Sequence, residues 1–161
     1  MMDTQFQAII PSPIGYIGIQ TQGDYLISLT LLPMSGHTLR KPNDYFTLEV
    51  TAQINAYFVN PKFIFNIPVA LNGTPFQKRV WANIQKVPSG AVSSYGELSS
   101  TLNSGPRAVA NACAMNCLLL IIPCHRIVAK NGLGGFSGNR LGNYEDNLHI
   151  KRWLLKHEQS L

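Results

Sequence analysis

Helix-start signals punctuate the second half of this 161-residue chain, and their spacing constrains its fold more than any other feature. Thr74-Pro75-Phe76-Gln77 supplies a capping hydroxyl, a proline at the first helical position and a glutamine that can close a capping box. Phe76, Val80, Trp81, Ile84 and Val87 then recur at helical spacing, and Pro88-Ser89-Gly90 ends the helix. Ser94-Tyr95-Gly96-Glu97 reads as a second capping box, opening a short helix to about Leu102. Asn103-Ser104-Gly105 is a turn, and Pro106 starts a third helix that runs to about Asn116. Two short helices joined by a tight, glycine-containing turn form a helix-turn-helix. In many α+β domains the same pattern is only core packing, so by itself it does not establish DNA binding.

The first ~35 residues read as β structure, since turn signals at Pro11-Ser12-Pro13 and Gly23-Asp24 separate short apolar runs. Residues Asp44 to Phe58 fit a helix, with Phe46, Val50, Ile54 and Phe58 repeating every four positions. Phe63-Ile64-Phe65 is a further strand candidate, and His149 to His157 closes the chain as a helix burying Ile150, Trp153 and Leu154. The expected fold class is α+β. A small N-terminal β-sheet and helix domain, residues 1–70, precedes a mostly helical domain with the helix-turn-helix, residues 71–161.

Between the third helix and the last lies the chemistry. The apolar run Leu118-Leu119-Leu120-Ile121-Ile122 reads as a strand that ends on Pro123 and presents Cys124 beside His125 and Arg126. Thiolate is the nucleophilic form of cysteine, and neighbouring positive charge stabilises it. A cysteine after an apolar run is more often a small buried hydrophobe, so context has to decide.

Three cysteines, Cys113, Cys117 and Cys124, fall within twelve residues. That clustering is a poor disulfide framework. A zinc site on them is conceivable but not expected, because Cys124 must also serve the loop. Net charge is +5, which favours phosphate-rich partners over acidic ones. No apolar run approaches the ~20 residues of a membrane span, and the N-terminus lacks the basic start of a signal peptide. A cytoplasmic protein is expected. The third helix, Arg107-Ala108-Val109-Ala110-Asn111-Ala112-Cys113-Ala114, has a smooth, alanine-rich surface able to approach another surface closely. Arg107 sits in its first turn, where the helix dipole disfavours a cation, and could point at DNA.

Taken together these segments resemble the O6-alkylguanine-DNA alkyltransferases. The resemblance is carried by Gly73-Thr74-Pro75-Phe76-Gln77 with Val80-Trp81, by Ser94-Tyr95-Gly96-Glu97-Leu98 and by Pro106-Arg107-Ala108-Val109-Ala110. Asn116 seven residues before Pro123-Cys124-His125-Arg126-Ile127-Val128 extends it, as do Gly135-Phe136-Ser137-Gly138 and the segment Lys151 to Glu158. It spans about residues 73–158; residues 1–70 match only in style.

The resemblance implies a division of labour. Cys124 accepts the alkyl group, His125 takes the thiol proton through an ordered water, and Glu158 orients the imidazole. The base flips out of the duplex, because its O6 lies inside the stack. The helix carrying Arg107, Ala108 and Ala110 enters the minor groove, and Arg107 fills the vacated place. Tyr95 pushes on the neighbouring phosphate and donates to guanine N3. Carbonyls of Cys124 and Ile127 accept from the guanine amine, Phe136 and Ser137 line the pocket, and the Ser137 amide donates to O6. Asn116 ties the third helix to the loop, although the residue also reads as a plain C-terminal cap. Arg126 bridges elements behind the loop. The partner is double-stranded DNA bearing O6-alkylguanine, the protein a monomer that reacts once, with no metal and no cofactor.

The chain departs from the family pattern in places. Cys117 stands where proline commonly follows the hinge asparagine, and Phe136 where tyrosine is frequent. The turn before Arg107 is about two residues short. Residues 139–147 look like an insertion, and residues 1–70 hold no cysteine for a structural zinc. Three other readings stay open from sequence. They are an alkyltransferase-like damage sensor without transfer, a cysteine hydrolase on another fold, and a transcription regulator.

Overall fold

The computed structural model describes residues 5–33, 36–136 and 144–161, and divides into two units. The first comprises Met1–Asn72 together with Cys117–Leu119; the second comprises Gly73–Asn116 and Leu120–Leu161.

Alternating apolar residues build the first unit around an antiparallel sheet. Strands β1 (Ala8–Ile10), β2 (Tyr16–Gln22) and β3 (Tyr25–Leu32) lie in the order β1-β2-β3, with Ile10 opposite Ile17 and Ile19 opposite Leu29. Gly23, at φ +60, lets the β2–β3 hairpin turn tightly. Helix α1 (Tyr45–Val59) starts where Asp44 accepts from the Thr47 amide. Its buried face is Thr47, Val50, Gln53, Ile54 and Tyr57, so Phe46 and Phe58 lie at its margins and are only half-buried. Gln53 is held by exchanging hydrogen bonds with the backbone of Asn66.

Two expected strands are absent. Phe63-Ile64-Phe65 belongs to no strand, with the Phe63 amide donating back to Asn60 O and Ile64 exposed; the pairing occurs further on, where Val69 bridges Leu26. The run 118–122 makes a single parallel bridge, Leu118 to Leu29, after which Leu120 turns left-handed at φ +70. A short apolar run buried on all sides looks alike as strand or as packed turn, and only ladder partners separate the two. Leu118, Leu119, Leu120 and Ile122 are all buried, so their hydrophobicity serves the core and not a sheet.

Three helices and the closing helix form the second unit. Helix α2 (Pro75–Ile84) has both halves of its capping box, Thr74 accepting from the Gln77 amide and Gln77 accepting from the Thr74 amide. It ends at Ile84, earlier than Pro88-Ser89-Gly90 suggests, with Val87 in the following turn. Val80, Trp81 and Ile84 are buried, and Trp81 Nε1 donates to Ala112 O at 2.9 Å. A two-residue strand β4 (Ser93–Ser94) leads into α3 (Tyr95–Leu102). Ser94 caps α3 by accepting from the Glu97 amide, whereas the Glu97 carboxylate accepts from Ser93 Oγ, so the expected box is replaced by a different acceptor pairing. Asn103, left-handed at φ 53, closes α3 and begins the turn to α4 (Pro106–Ala114). Helices α3 and α4 are the helix-turn-helix.

After Pro123 the chain forms one 3-10 turn, Cys124–Arg126, and then β5 (Ile127–Val128), which pairs in parallel with β4. Helix α5 (Tyr144–His157) begins five residues earlier than expected. Its inward stripe is Asn147, Lys151, Leu154, Leu155 and then Glu158, with Ile150 and Trp153 only half-buried. The fold is α+β, as read from the sequence.

Candidate active site

Cys124 opens the 3-10 turn, and Asn116 holds it there. Asn116 Nδ2 donates to Ile122 O at 2.8 Å and to Cys124 Sγ at 3.2 Å, so one amide fixes both the approach of the loop and its sulfur. The residue does more than cap α4. The Cys124 thiol is buried, and its pKa stands well above the usual cysteine value. A hydrogen bond with the Cys113 thiol is the main cause, followed by burial; the Asn116 amide and the Lys151 charge pull the other way. At neutral pH the sulfur is therefore a thiol that needs a base.

His125 is the adjacent base, and it is buried. Its Nε2 lies 2.9 Å from Glu158 Oε2. Burial lowers the imidazole pKa below 6.5, and the Glu158 carboxylate opposes that shift. The ring is thus neutral at pH 7. With Nε2–H donating to the carboxylate, Nδ1 keeps its lone pair for a proton.

Arg126 locks Glu158 from the other side. Its Nε donates to Oε1 and its Nη2 to Oε2, each at 2.9 Å, and Nη1 donates to Val87 O at 2.7 Å. This two-pronged pairing fixes the carboxylate plane. The Glu158 side chain is 0% exposed and that of Arg126 12%, so the pair is strongly shielded from water.

Lys151 was legible in the sequence only as part of the α5 match, and the structure gives it a definite position. Its ammonium is buried and donates to Ile127 O at 2.6 Å and to Gly135 O at 2.9 Å. It joins the residue after the 3-10 turn to the far end of the loop. Ile127 O, expected to accept from a guanine amine, therefore already accepts once and keeps one lone pair. Burial lowers the Lys151 pKa to about 8. The 151 position continues the stripe Asn147-Lys151-Leu154-Glu158, a signal that spacing alone offers.

Tyr95 follows β4 directly, so the β4–β5 pairing carries it beside the loop. Its hydroxyl reaches Gly135 O at 3.5 Å, and the Lys151 ammonium sits 5.8 Å from the ring centroid. Gly134, at φ +74, packs so close to the ring that a Cβ there would stand 2.9 Å from Tyr95 Cε2. Phe136 is buried at the end of the loop. Ser137 and residues 139–143 lie outside the described residues.

On α4, Val109, Ala112 and Cys113 face inward, while Arg107, Ala108 and Asn111 are exposed and Ala110 is half-exposed. Arg107, Ala108 and Ala110 thus share a surface with small side chains. The structure brings Cys124, His125, Glu158 and Asn116 into one cluster, with Tyr95 at the loop edge; Arg107 is on the outer face of α4.

Comparison with known proteins identifies the family of the chain. Residues 75–160 match the model for the 6-O-methylguanine DNA methyltransferase, DNA binding domain. A methylated-DNA–protein-cysteine methyltransferase of Metallosphaera sedula is 34% identical over 151 residues, which cover 93% of this chain and 90% of that protein. The chain belongs to the methylated-DNA–protein-cysteine methyltransferase family. Proteins of that family repair DNA by alkyl transfer to a cysteine, and this methyltransferase is an enzyme of that class. An O6-methylguanine methyltransferase of Mycobacterium tuberculosis superposes with a TM-score of 0.76 at 31% identity, covering 94% of this chain and 91% of that one. The structure of Mycobacterium tuberculosis OGT in complex with DNA gives 0.75 at 34% identity, with the same coverage. DNA is accordingly a partner of this methyltransferase. Among the described residues no helix is long and apolar enough to cross a membrane.

Proposed function

We propose that Cys124 is the acceptor, and that it takes the alkyl group from O6 of a guanine flipped out of duplex DNA. The observation that carries this reading is the pair of contact sets held by neighbouring residues 124 and 125. Asn116 donates to Cys124 Sγ, neighbouring His125 is neutral, and Glu158 is held by Arg126 against the imidazole.

The reaction is a displacement at carbon. His125 takes the thiol proton through a water, and the thiolate attacks the alkyl carbon. A C–S bond forms as the C–O bond breaks, and its electron pair stays on guanine O6. Tyr95 donates toward N3 of the departing base and Phe136 closes the pocket, together with Ser137. The product is a thioether, which has no carbonyl or phosphoryl centre for water to attack, so the cysteine is spent. Arg107, with Ala108 and Ala110 as the close-approach surface, enters the minor groove and occupies the place of the flipped nucleotide. The protein acts as a monomer in the cytoplasm, with no cofactor.

The test is incubation with a duplex carrying one O6-methylguanine, read by intact and peptide mass spectra. A gain of about 14 Da on the Cys124 peptide, stopping at one per protein, is the expected result for a thioether that is not hydrolysed. DNA binding without mass gain would favour a damage sensor; methylation of Cys113 or Cys117 would reassign the acceptor.

A further inference from the structure

The Cys124 sulfur has a second neighbour that the transfer reaction does not use. Cys113 lies in the last turn of α4, where Cys124 Sγ stands 3.8 Å from its backbone oxygen, and the interaction of the two thiols lowers the Cys113 pKa while raising that of Cys124. The Cα of Cys113 is about 2.4 Å from its own oxygen, so the Cys124 sulfur stands within about 6 Å of that Cα. That puts the Cys124 sulfur beside the Cys113 residue, and a disulfide needs the two sulfurs to close to about 2 Å through rotation of the side chains. Both cysteines are free and buried, each with 8% of its surface exposed. Cys117 is placed differently, with its sulfur 3.7 Å from Ile27 O in the first unit.

Three features favour closure. Asn116 Nδ2 binds both Ile122 O and Cys124 Sγ, so the loop between the two cysteines is already drawn together. The loop is short, and bringing its ends together costs little further chain entropy. The Lys151 ammonium favours the thiolate form of either sulfur.

We propose that Cys113 and Cys124 are a redox pair which closes to a disulfide under hydroperoxide, masking the alkyl acceptor until a thiol reductant reopens it. The inference rests on Cys124 being the acceptor only for its consequence, since the bond itself requires only the two sulfurs. In the first step one thiolate attacks a peroxide oxygen. The O–O bond breaks, the leaving oxygen takes a proton, and a sulfenic acid remains. The second thiol then attacks the sulfenic sulfur. An S–S bond forms, the S–O bond breaks, and the hydroxide leaves as water with the thiol proton. Two thiols are oxidised by two electrons, and one hydrogen peroxide becomes two waters. The gain is protective, because Cys124 held as a disulfide is not carried on to irreversible sulfinic acid.

Full-length protein is treated with hydrogen peroxide, then divided and incubated with or without dithiothreitol. Non-reducing peptide mapping should give a linked Cys113–Cys124 peptide, about 2 Da lighter than the two thiol peptides together. Methyl transfer from an O6-methylguanine duplex should fall at least ten-fold and return after dithiothreitol. Cys113→Ser, checked for fold by circular dichroism and compared with its own untreated rate, should accumulate sulfinic acid at Cys124 and not recover. Cys117→Ser should still form the link. A wild-type protein whose Cys124 goes to sulfinic acid without the linked peptide overturns the pair, as does a link through Cys117. Recovery of Cys113→Ser equal to wild type overturns it too. If untreated wild type transfers no methyl group, the acceptor reading fails, while peptide mapping still decides the disulfide.

Discussion

Glu158 accepts from His125 Nε2 at 2.9 Å with the same Oε2 that accepts Arg126 Nη2. One buried carboxylate oxygen thus sets the tautomer of the imidazole while a guanidinium fixes the carboxylate itself. Glu158→Gln keeps the shape but removes the charge, leaving Arg126 largely shielded without its counter-ion. Breaking such a pair costs about 3 kcal/mol or more. We expect a loss of that order in urea unfolding, and single-turnover transfer slowed at least ten-fold.

The pH profile should report His125. Burial puts its folded pKa below 6.5, so in the unfolded chain it binds a proton at higher pH than in the native protein. Stability is therefore full above about 6.5 and is lost as pH falls through the folded value. The transfer rate follows the same limb, because only the neutral ring accepts a proton. Single-turnover rates should hold down to about pH 6.5 and decline below it; a decline beginning above neutrality would remove His125 as the base.

Lys151 gives the opposite end of the profile. Its folded pKa of about 8, against 10.5 unfolded, means that the unfolded chain binds the extra proton between those values. Stability should rise over that window, by about 3 kcal/mol at most. Lys151→Met should abolish the rise in urea midpoint across it. The same substitution releases Ile127 O and Gly135 O, so transfer should slow at pH 7 as well.

Asn116→Ala removes the donor to Cys124 Sγ and to Ile122 O together. A loss of about 1–2 kcal/mol in stability is expected for an unsatisfied, part-buried carbonyl. The larger effect should be on reactivity. Without that amide the thiolate is less favoured, so the pH at which iodoacetamide modifies Cys124 should move upward.

Gly134→Ala should impair the loop through Tyr95. The added methyl meets Cε2 at 2.9 Å and the hydroxyl at 3.3 Å, at a φ of +74 that side-chain-bearing residues avoid. Backbone strain alone costs about 1 kcal/mol, and the ring must also move. Transfer should fall more than DNA affinity does. Tyr95→Phe should share that signature, and equal losses in rate and affinity would remove the proposed role of Tyr95.

Arg107 is exposed on the outer face of α4. Arg107→Ala should slow repair of the duplex more than reaction with the free base O6-methylguanine, with little change in unfolding midpoint. Equal slowing of both substrates would count against insertion into the stack.

Local signals in the sequence determined much of this protein. Caps and prolines set where α2, α3 and α4 begin, because those positions depend on neighbours within four residues. The segments that resemble the family are enough to name Cys124, His125, Glu158, Asn116 and Tyr95 as candidate site residues. Tertiary structure decided what depends on distant partners. Residues 118–122 became a packed turn and not a strand, because only Leu118 found a ladder partner and Leu120 took a left-handed conformation. Glu97 gave its carboxylate to Ser93 instead of to the expected box. Lys151 turned inward because two loop carbonyls, 24 and 16 residues away in the chain, needed a donor. The contact between Cys113 and Cys124 follows from how α4 packs against the loop. Spacing along a chain fixes local hydrogen bonds, but a buried charge or a thiol pair is fixed by partners that only folding brings within reach.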